Sequence, residues 1–366
     1  MSDIQITNCH THLFTAAHVP KTYPHWALIP IKRVPWLTAL IAWVLAFLGF
    51  QEAAEQVRRL RRFQEETSSA DQRNILQNMC RHYPKGTRFV VLPMDLSQIG
   101  YGPPEVQIAE QHDDLARLAA TDEFGKELIP FAMIDPRSDP LANELWRAVD
   151  TLGFRGIKLY PRMGYAPTDK TLMSLVYPKA EEKGLPVMTH CSRGGVKGHG
   201  LPDRIADAYT DPAAYLPVLK EFPRLKICLA HFGGQRDWDA YVNPEPPSPY
   251  HDERTRNWQV MIRQMITSGD HPNLWTDISY TLFDFEEYIP FLRTFLEGPT
   301  KEHERLRRRV LFGSDYYMTR QEELSERAVC IRLRNALGED LFRQIAEINP
   351  QVWLGERQEP ADGLWR

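Results

Sequence analysis

"LIPFAMIDPRSDPLANELWRAVDTLGFRGIKLYP", residues 128–161, holds one full repeat of the pattern that decides the fold. An apolar run (128–135) ends on an acid, a stretch with helical apolar spacing (140–153) stops at Gly153, and a second apolar run (154–161) follows. Strands that are apolar along nearly their whole length are covered on both faces, and a helical crossover between them makes them parallel. The alternation extends both ways. "IQIT" (4–7) and "RFVVLPMD" (88–95) precede it, and "LPVMTH" (185–190), "KICLAH" (226–231), "LWTDISY" (274–280) and "VLFGSD" (310–315) follow, with further helical spacing at 107–122 and 171–184. Eight such runs predict an α/β fold, a (β/α)₈ TIM barrel forming a single domain over residues 1–366, in preference to an open doubly wound sheet. No G-x-G-x-x-G follows the first run, which removes the main support for a dinucleotide-binding sheet.

Composition sets outer limits. A chain of 366 residues with 43% hydrophobic and 25% charged residues buries a large core. Its net charge of −4 gives no reason to expect a nucleic-acid partner, and the basic stretch "EQVRRLRRFQEE" (55–66) is flanked by acids at helical spacing, as on a solvated helix face. Five cysteines, without a C-x-x-C, suit a reducing compartment, and "MSDIQITN" has the form of no secretory signal, so a cytoplasmic location is expected.

Reacting side chains in such barrels stand at the carboxyl ends of the strands. The first strand ends in His10 and His12, which share one face if residues 4–12 are extended. The fourth carries Lys158, the fifth ends in His190, the sixth in His231 and the eighth in Asp315. Imidazoles and a carboxylate at similar heights converge, and they are the ligands of Zn²⁺ or another divalent first-row ion. Met singly, each has a plainer reading: an exposed pair at a strand end, a satisfied core histidine, a helix N-cap, a lysine lying along the surface. Arg162 in "YPRMGY" and Arg193 in "HCSRGGVKGHG" are candidate contacts for an anionic small-molecule substrate, or simply surface charges. Tyr160, Tyr165 and Tyr280 are candidates to line the mouth.

Five motifs in order, "CHTHLF" (9–14), "GIKLYP" (156–161), "MTHCS" (188–192), "LAHFGG" (229–234) and "FGSD" (312–315), closed by "NPQVWLG" (349–355), carry a family likeness. They resemble the amidohydrolase superfamily, in particular the amidohydrolase-related branch that includes aminocarboxymuconate semialdehyde decarboxylase. The resemblance implies that His10, His12, His190 and Asp315 hold one metal ion, with His231 as acid/base or oxyanion partner. In two-metal relatives the counterpart of His231 is also a ligand, and a carboxylated lysine on the fourth strand, the strand of Lys158, bridges the ions. One ion is expected here, with Lys158 as a free amine that binds an anionic substrate group. The expected activity is metal-assisted hydrolysis of an amide, ester or lactone carbonyl in a small anionic substrate, with His231 and Asp315 handling protons or charge. Non-oxidative decarboxylation at the same site is the alternative, and a non-catalytic ligand-binding barrel a third reading.

"VPWLTALIAWVLAFLGF" (34–50) carries no charge over 17 residues. As a helix it would be about 25 Å long, short of a hydrocarbon core of about 30 Å. It falls within an insertion (about 16–50) between the first two strands, and a span there would split one closed barrel across a bilayer. The remaining expectations are a lid, a contact in a homo-oligomer, or a membrane-surface helix. This insertion and the proline-rich "NPEPPSPYHDE" (243–253) are expected to shape specificity.

Overall fold

The structure, a computed structural model, describes residues 4–23, 43, 71–243, 257–284, 286–316 and 326–359. Residues 34–50 other than Trp43, the basic stretch 55–66 and most of 243–253 lie outside the described residues, so the expectations placed on them are not addressed. No described helix is long and apolar enough to cross a membrane.

Among the described residues, nine short parallel strands follow one another around a ring: β1 (Thr7–Thr11), β2 (Arg88–Val91), β3 (Leu128–Pro130), β4 (Ala132–Met133), β5 (Ile157–Leu159), β6 (Val187–Thr189), β7 (Ile227–Leu229), β8 (Leu274–Asp277) and β9 (Val310–Leu311). β3 and β4 are one stave interrupted at Phe131, so the staves number eight. One sheet runs β1-β2-β3 and the other β4 through β9, each strand beside its neighbour in sequence. At the break Phe131 N–H donates to Val91 O (3.0 Å) and Ala132 N–H to Gly156 O (2.9 Å), carrying the ladder across. At the other seam Cys9 N–H donates to Phe312 O (2.8 Å) and Asp315 N–H to His10 O (2.9 Å), and Thr11 bridges Tyr316 in parallel. The fold is a (β/α)₈ barrel.

The first strand starts later than the run at 4–7, and it is not regular. Thr7 pairs with Arg88 and Asn8 with Phe89, but Thr11 pairs with Val91, so β1 holds one residue more than β2 over this stretch. A bulge of this kind re-aims the chain beside an active site. Cys9 joins the lumen cluster with Val90, Leu92, Met188, Cys228 and Trp275, and the extra residue lets His10 and His12 also turn inward above it. The closing helix (Asn349–Trp353) plugs the other end, where Val352, Trp353 and Leu354 complete the same cluster. Helices around the ring form the larger apolar layer with the outward strand residues.

Candidate metal centre at the barrel mouth

Two imidazoles and one carboxylate meet where β1 and β9 end. His12 Nε2 lies 3.1 Å from Asp315 Oδ1 and His10 Nε2 lies 3.6 Å from the same oxygen. All three residues are buried. The far side of each ring is committed: His12 Nδ1 faces Leu92 O at 2.7 Å, and His10 Nδ1 faces Asp277 Oδ2 at 2.8 Å. A carbonyl only accepts, so His12 carries a hydrogen on Nδ1 and turns Nε2 toward Asp315. Ligand bonds of 2.0–2.2 Å in a tetrahedral shell put neighbouring donors about 3.4 Å apart. The observed separations bracket that value, and the donor set suits a divalent ion.

His190 does not join these three. Its Nδ1 faces His231 Nε2 (3.1 Å), its Nε2 faces Gly194 O and Ser192 Oγ (both 3.2 Å), and Tyr160 stacks on its ring at 4.1 Å. Lys158, buried in the lumen, holds Nζ 3.5 Å from His10 Nε2. A second possible metal-binding group among the described residues is His10, His231 and Asp277, and Ser279 Oγ stands within it, 3.1 Å from His10 Nδ1 and 2.9 Å from His231 Nδ1.

Burial disfavours the charged form of three of the rings. Burial, reinforced by the Lys158 charge, lowers His10 to about 3; burial also pushes His190 well below the usual range, and His231 down. Burial likewise lowers Lys158 to about 8, against the pull of Asp315 and Asp277. Burial would raise the two carboxyls, but hydrogen bonds and the neighbouring imidazoles outweigh it. His12 and its neighbours hold Asp315 at about 2, and His10, His231 and Ser279 hold Asp277 well below the carboxylate range. Among the described residues, four around the mouth that are not glycine adopt positive φ: His231 (68°), Phe232 (46°), Tyr280 (56°) and Asp315 (63°). Such backbone costs of order 1–3 kcal/mol per residue and is held by its surroundings.

A cavity of about 290 Å³ opens on this cluster. Lys158, Arg193, Arg236, Tyr160 and Tyr280 line it. Arg193 is fixed by Asp237 (Nε to Oδ2, 3.0 Å) and by the Trp258 ring beneath its guanidinium at 4.2 Å. Arg162 lies elsewhere. Its Nε donates to Asp207 Oδ1 (3.0 Å), Nη1 to Gly195 O (2.9 Å) and Nη2 to Asp203 Oδ1 (2.7 Å), so the structure makes it a tie for the loop after β6, not a cavity wall. Gly195 in that loop has φ +90°, and an added Cβ would stand 2.4 Å from Tyr160 Oη, so the close approach requires glycine. Tyr165 is not in the wall either; its hydroxyl accepts from Tyr160 N–H (2.7 Å). Sequence reasoning passed over Asp277, Ser279 and Arg236. For Asp277 the signal is present: "LWTD" (274–277) is an apolar run ending on an acid, like the run that ends at Asp315.

Comparison with known proteins agrees with this architecture. A family model described as amidohydrolase matches residues 8–355. Among solved structures, an uncharacterized TIM-barrel protein from Bordetella bronchiseptica is 18% identical with a TM-score of 0.53, covering 96% of this chain and 98% of its own. A probable 2-pyrone-4,6-dicarboxylic acid hydrolase from Acinetobacter baumannii with citric acid bound is 14% identical (TM-score 0.55; 96% and 100% covered). A 5-carboxyvanillate decarboxylase from Novosphingobium aromaticivorans, complexed with manganese and 4-hydroxy-3-methoxy-5-nitrobenzoic acid, is also 14% identical (TM-score 0.55; 96% of each chain). At these identities the likeness is one of fold. No curated protein matches the chain.

Proposed function

The chain belongs to the amidohydrolase family, and on that premise we propose that it is a metal-dependent hydrolase acting on an amide, ester or lactone carbonyl of a small anionic substrate. The observation that carries this reading is the pair of Nε2 atoms turned to one Asp315 oxygen, with both Nδ1 atoms spent on fixed acceptors. His10, His12 and Asp315 would hold the ion. His190 is the fourth ligand that the family resemblance implies, and its Nε2 would exchange Gly194 O and Ser192 for the ion. Zinc is named first on the imidazole-rich donor set; the manganese of the Novosphingobium decarboxylase makes metal analysis the arbiter. One ion is proposed, because the second group of His10, His231 and Asp277 is already filled by its own hydrogen bonds through Ser279.

A bound divalent cation supplies Lewis acidity toward the carbonyl and makes water acidic enough to attack near neutral pH. His231 lines the cavity, and once His190 turns to the ion and releases the contact at 3.1 Å, His231 Nε2 would take the proton of the attacking water and return it to the leaving group. Asp315 holds negative charge beside the ligands. Lys158 and Arg193 supply cationic contacts for an anionic substrate, and Arg236, exposed at the rim, extends them outward. The same cations would equally hold a carboxylate about to leave as CO₂, so decarboxylation is the second reading, separated by assaying CO₂ release across a panel of small aromatic and unsaturated acids. The principal test is metal content with turnover. His12→Ala and Asp315→Asn are expected to lose bound metal and to lose more activity than the 10–100-fold typical of removing an outer partner. Full activity in metal-free protein overturns the reading.

A further inference from the structure

Asp277 touches no cavity surface, yet every polar atom around it is spoken for. Its Oδ1 accepts from the backbone N–H of His231 (2.9 Å) and of Ser279 (3.0 Å) and from the Ser279 hydroxyl, and its Oδ2 accepts from His10 Nδ1. We propose that Asp277 is a positioning residue that sets the proton pattern of three imidazoles, His10 directly and His231 and His190 through Ser279. The proposal rests on the reading of this mouth as a metal-dependent active site, but the pattern itself exists without the metal.

Each group owns a single mobile hydrogen, and its partners fix where that hydrogen sits. Two backbone N–H groups and a hydroxyl converge on Oδ1, the surroundings of a carboxylate that only accepts, so His10 carries its hydrogen on Nδ1 and leaves Nε2 bare toward Asp315. Ser279 has one hydroxyl hydrogen, and it points to Asp277. The lone pairs of Ser279 Oγ and the Ser279 carbonyl (3.3 Å) therefore both face His231 Nδ1 as acceptors, so His231 also carries its hydrogen on Nδ1. Its Nε2 is then an acceptor, and the partner at 3.1 Å, His190 Nδ1, donates. His190 Nε2 is left with a lone pair, to which Ser192 Oγ can donate.

One contact argues the other way: Gly194 O lies 3.2 Å from His190 Nε2 and would welcome a hydrogen there. Meeting it would require His231 to donate from Nε2, leaving a bare Nδ1 against two oxygen acceptors in a fully buried place. A buried mismatch of that kind, one bare nitrogen against two oxygens, loses more than the single bond to Gly194 O returns. The three Nε2 atoms, two on proposed ligands and one on the proposed base, thus share one protonation logic. It starts from a residue that touches no substrate.

The test is the imidazole ¹⁵N spectrum of metal-free protein, in which protonated and bare ring nitrogens are well separated. His10, His190 and His231 are each expected to be protonated on Nδ1. A hydrogen on Nε2 of His190 or His231 overturns the relay, and one on Nε2 of His10 overturns the role of Asp277. Asp277→Asn sharpens it. Three donors surround the Oδ1 position, so the amide oxygen takes that place and the NH₂ group faces His10, an exchange that imposes the wrong tautomer on a histidine. His10 is expected to move its hydrogen to Nε2 and metal affinity to fall 10–100-fold, with His231 unchanged. His10 still protonated on Nδ1 in this variant overturns the assignment. If the wild-type chain neither binds metal nor turns over any substrate, the hydrolase reading fails while the spectrum still decides this one, and it does so even if Asp277→Asn does not fold.

Discussion

Single residues in this mouth work against their own solvation. Asp237 is the clearest case, because burial pushes its carboxyl up to about 6 although Arg193 and the Trp258 N–H oppose the shift. The folded state then favours the protonated acid. Its contribution to stability is whole below the unfolded value near 4 and is lost as pH rises through 6, by about 3 kcal/mol. Urea unfolding at stepped pH should show this fall between pH 4 and 7, and Asp237→Asn should flatten it; an unchanged slope would refute the shift. Legibility at this scale follows position. His10, His12, His190, His231, Lys158 and Asp315 stood out because each ends or punctuates an apolar run. Arg162 looked like a substrate contact because its partners, Asp203 and Asp207, lie 41 and 45 residues further on, where spacing carries no information. The bulge after Asn8 was hidden for a like reason, since register depends on the partner strand.

Elements are shorter than their sequence patterns, and the causes are local. The pattern at 140–153 folds as Asn143–Asp150, preceded by Ala142 at φ 54°. Asp139 sets the start by accepting from the N–H groups of Asn143 (2.8 Å), Glu144 (3.0 Å) and Leu145 (3.2 Å). Removing such a cap costs about 1–2 kcal/mol. Asp139→Ala should lower unfolding free energy by that amount with kcat/KM kept, and a neutral effect on stability would show that the cap is dispensable. The pattern at 171–184 divides at Pro178, which has no N–H for the preceding turn; a π turn (Leu172–Val176) leads into the helix Tyr177–Lys183, and Gly184 at φ 65° ends it. Periodicity reports which face is buried, and caps and prolines decide where the face begins.

The whole molecule depends on one seam where the chain's first strand meets its last. Asn8 spans it, donating to Ser314 Oγ (2.8 Å) and Tyr83 Oη (2.9 Å) and accepting from the Ser314 N–H (3.1 Å), while Tyr83 donates to Glu326. The repeat of apolar runs made the barrel legible, but not this lock, which joins residues 306 positions apart. We propose that the chain folds as one unit, so fluorescence and far-UV circular dichroism should report a single coincident unfolding transition. Asn8→Ala should move that transition to lower denaturant by about 2–4 kcal/mol, from several buried polar groups left without partners. Two separate transitions would refute the one-unit reading. The four left-handed residues at the mouth, His231, Phe232, Tyr280 and Asp315, impose a further condition on any attempt to improve this protein. Glycine would relax the backbone at each of them, but each lies at or beside the proposed site. Selection for heat resistance alone therefore pulls hardest on positions at the proposed site, and a useful thermostability campaign must hold them fixed and search the helical shell.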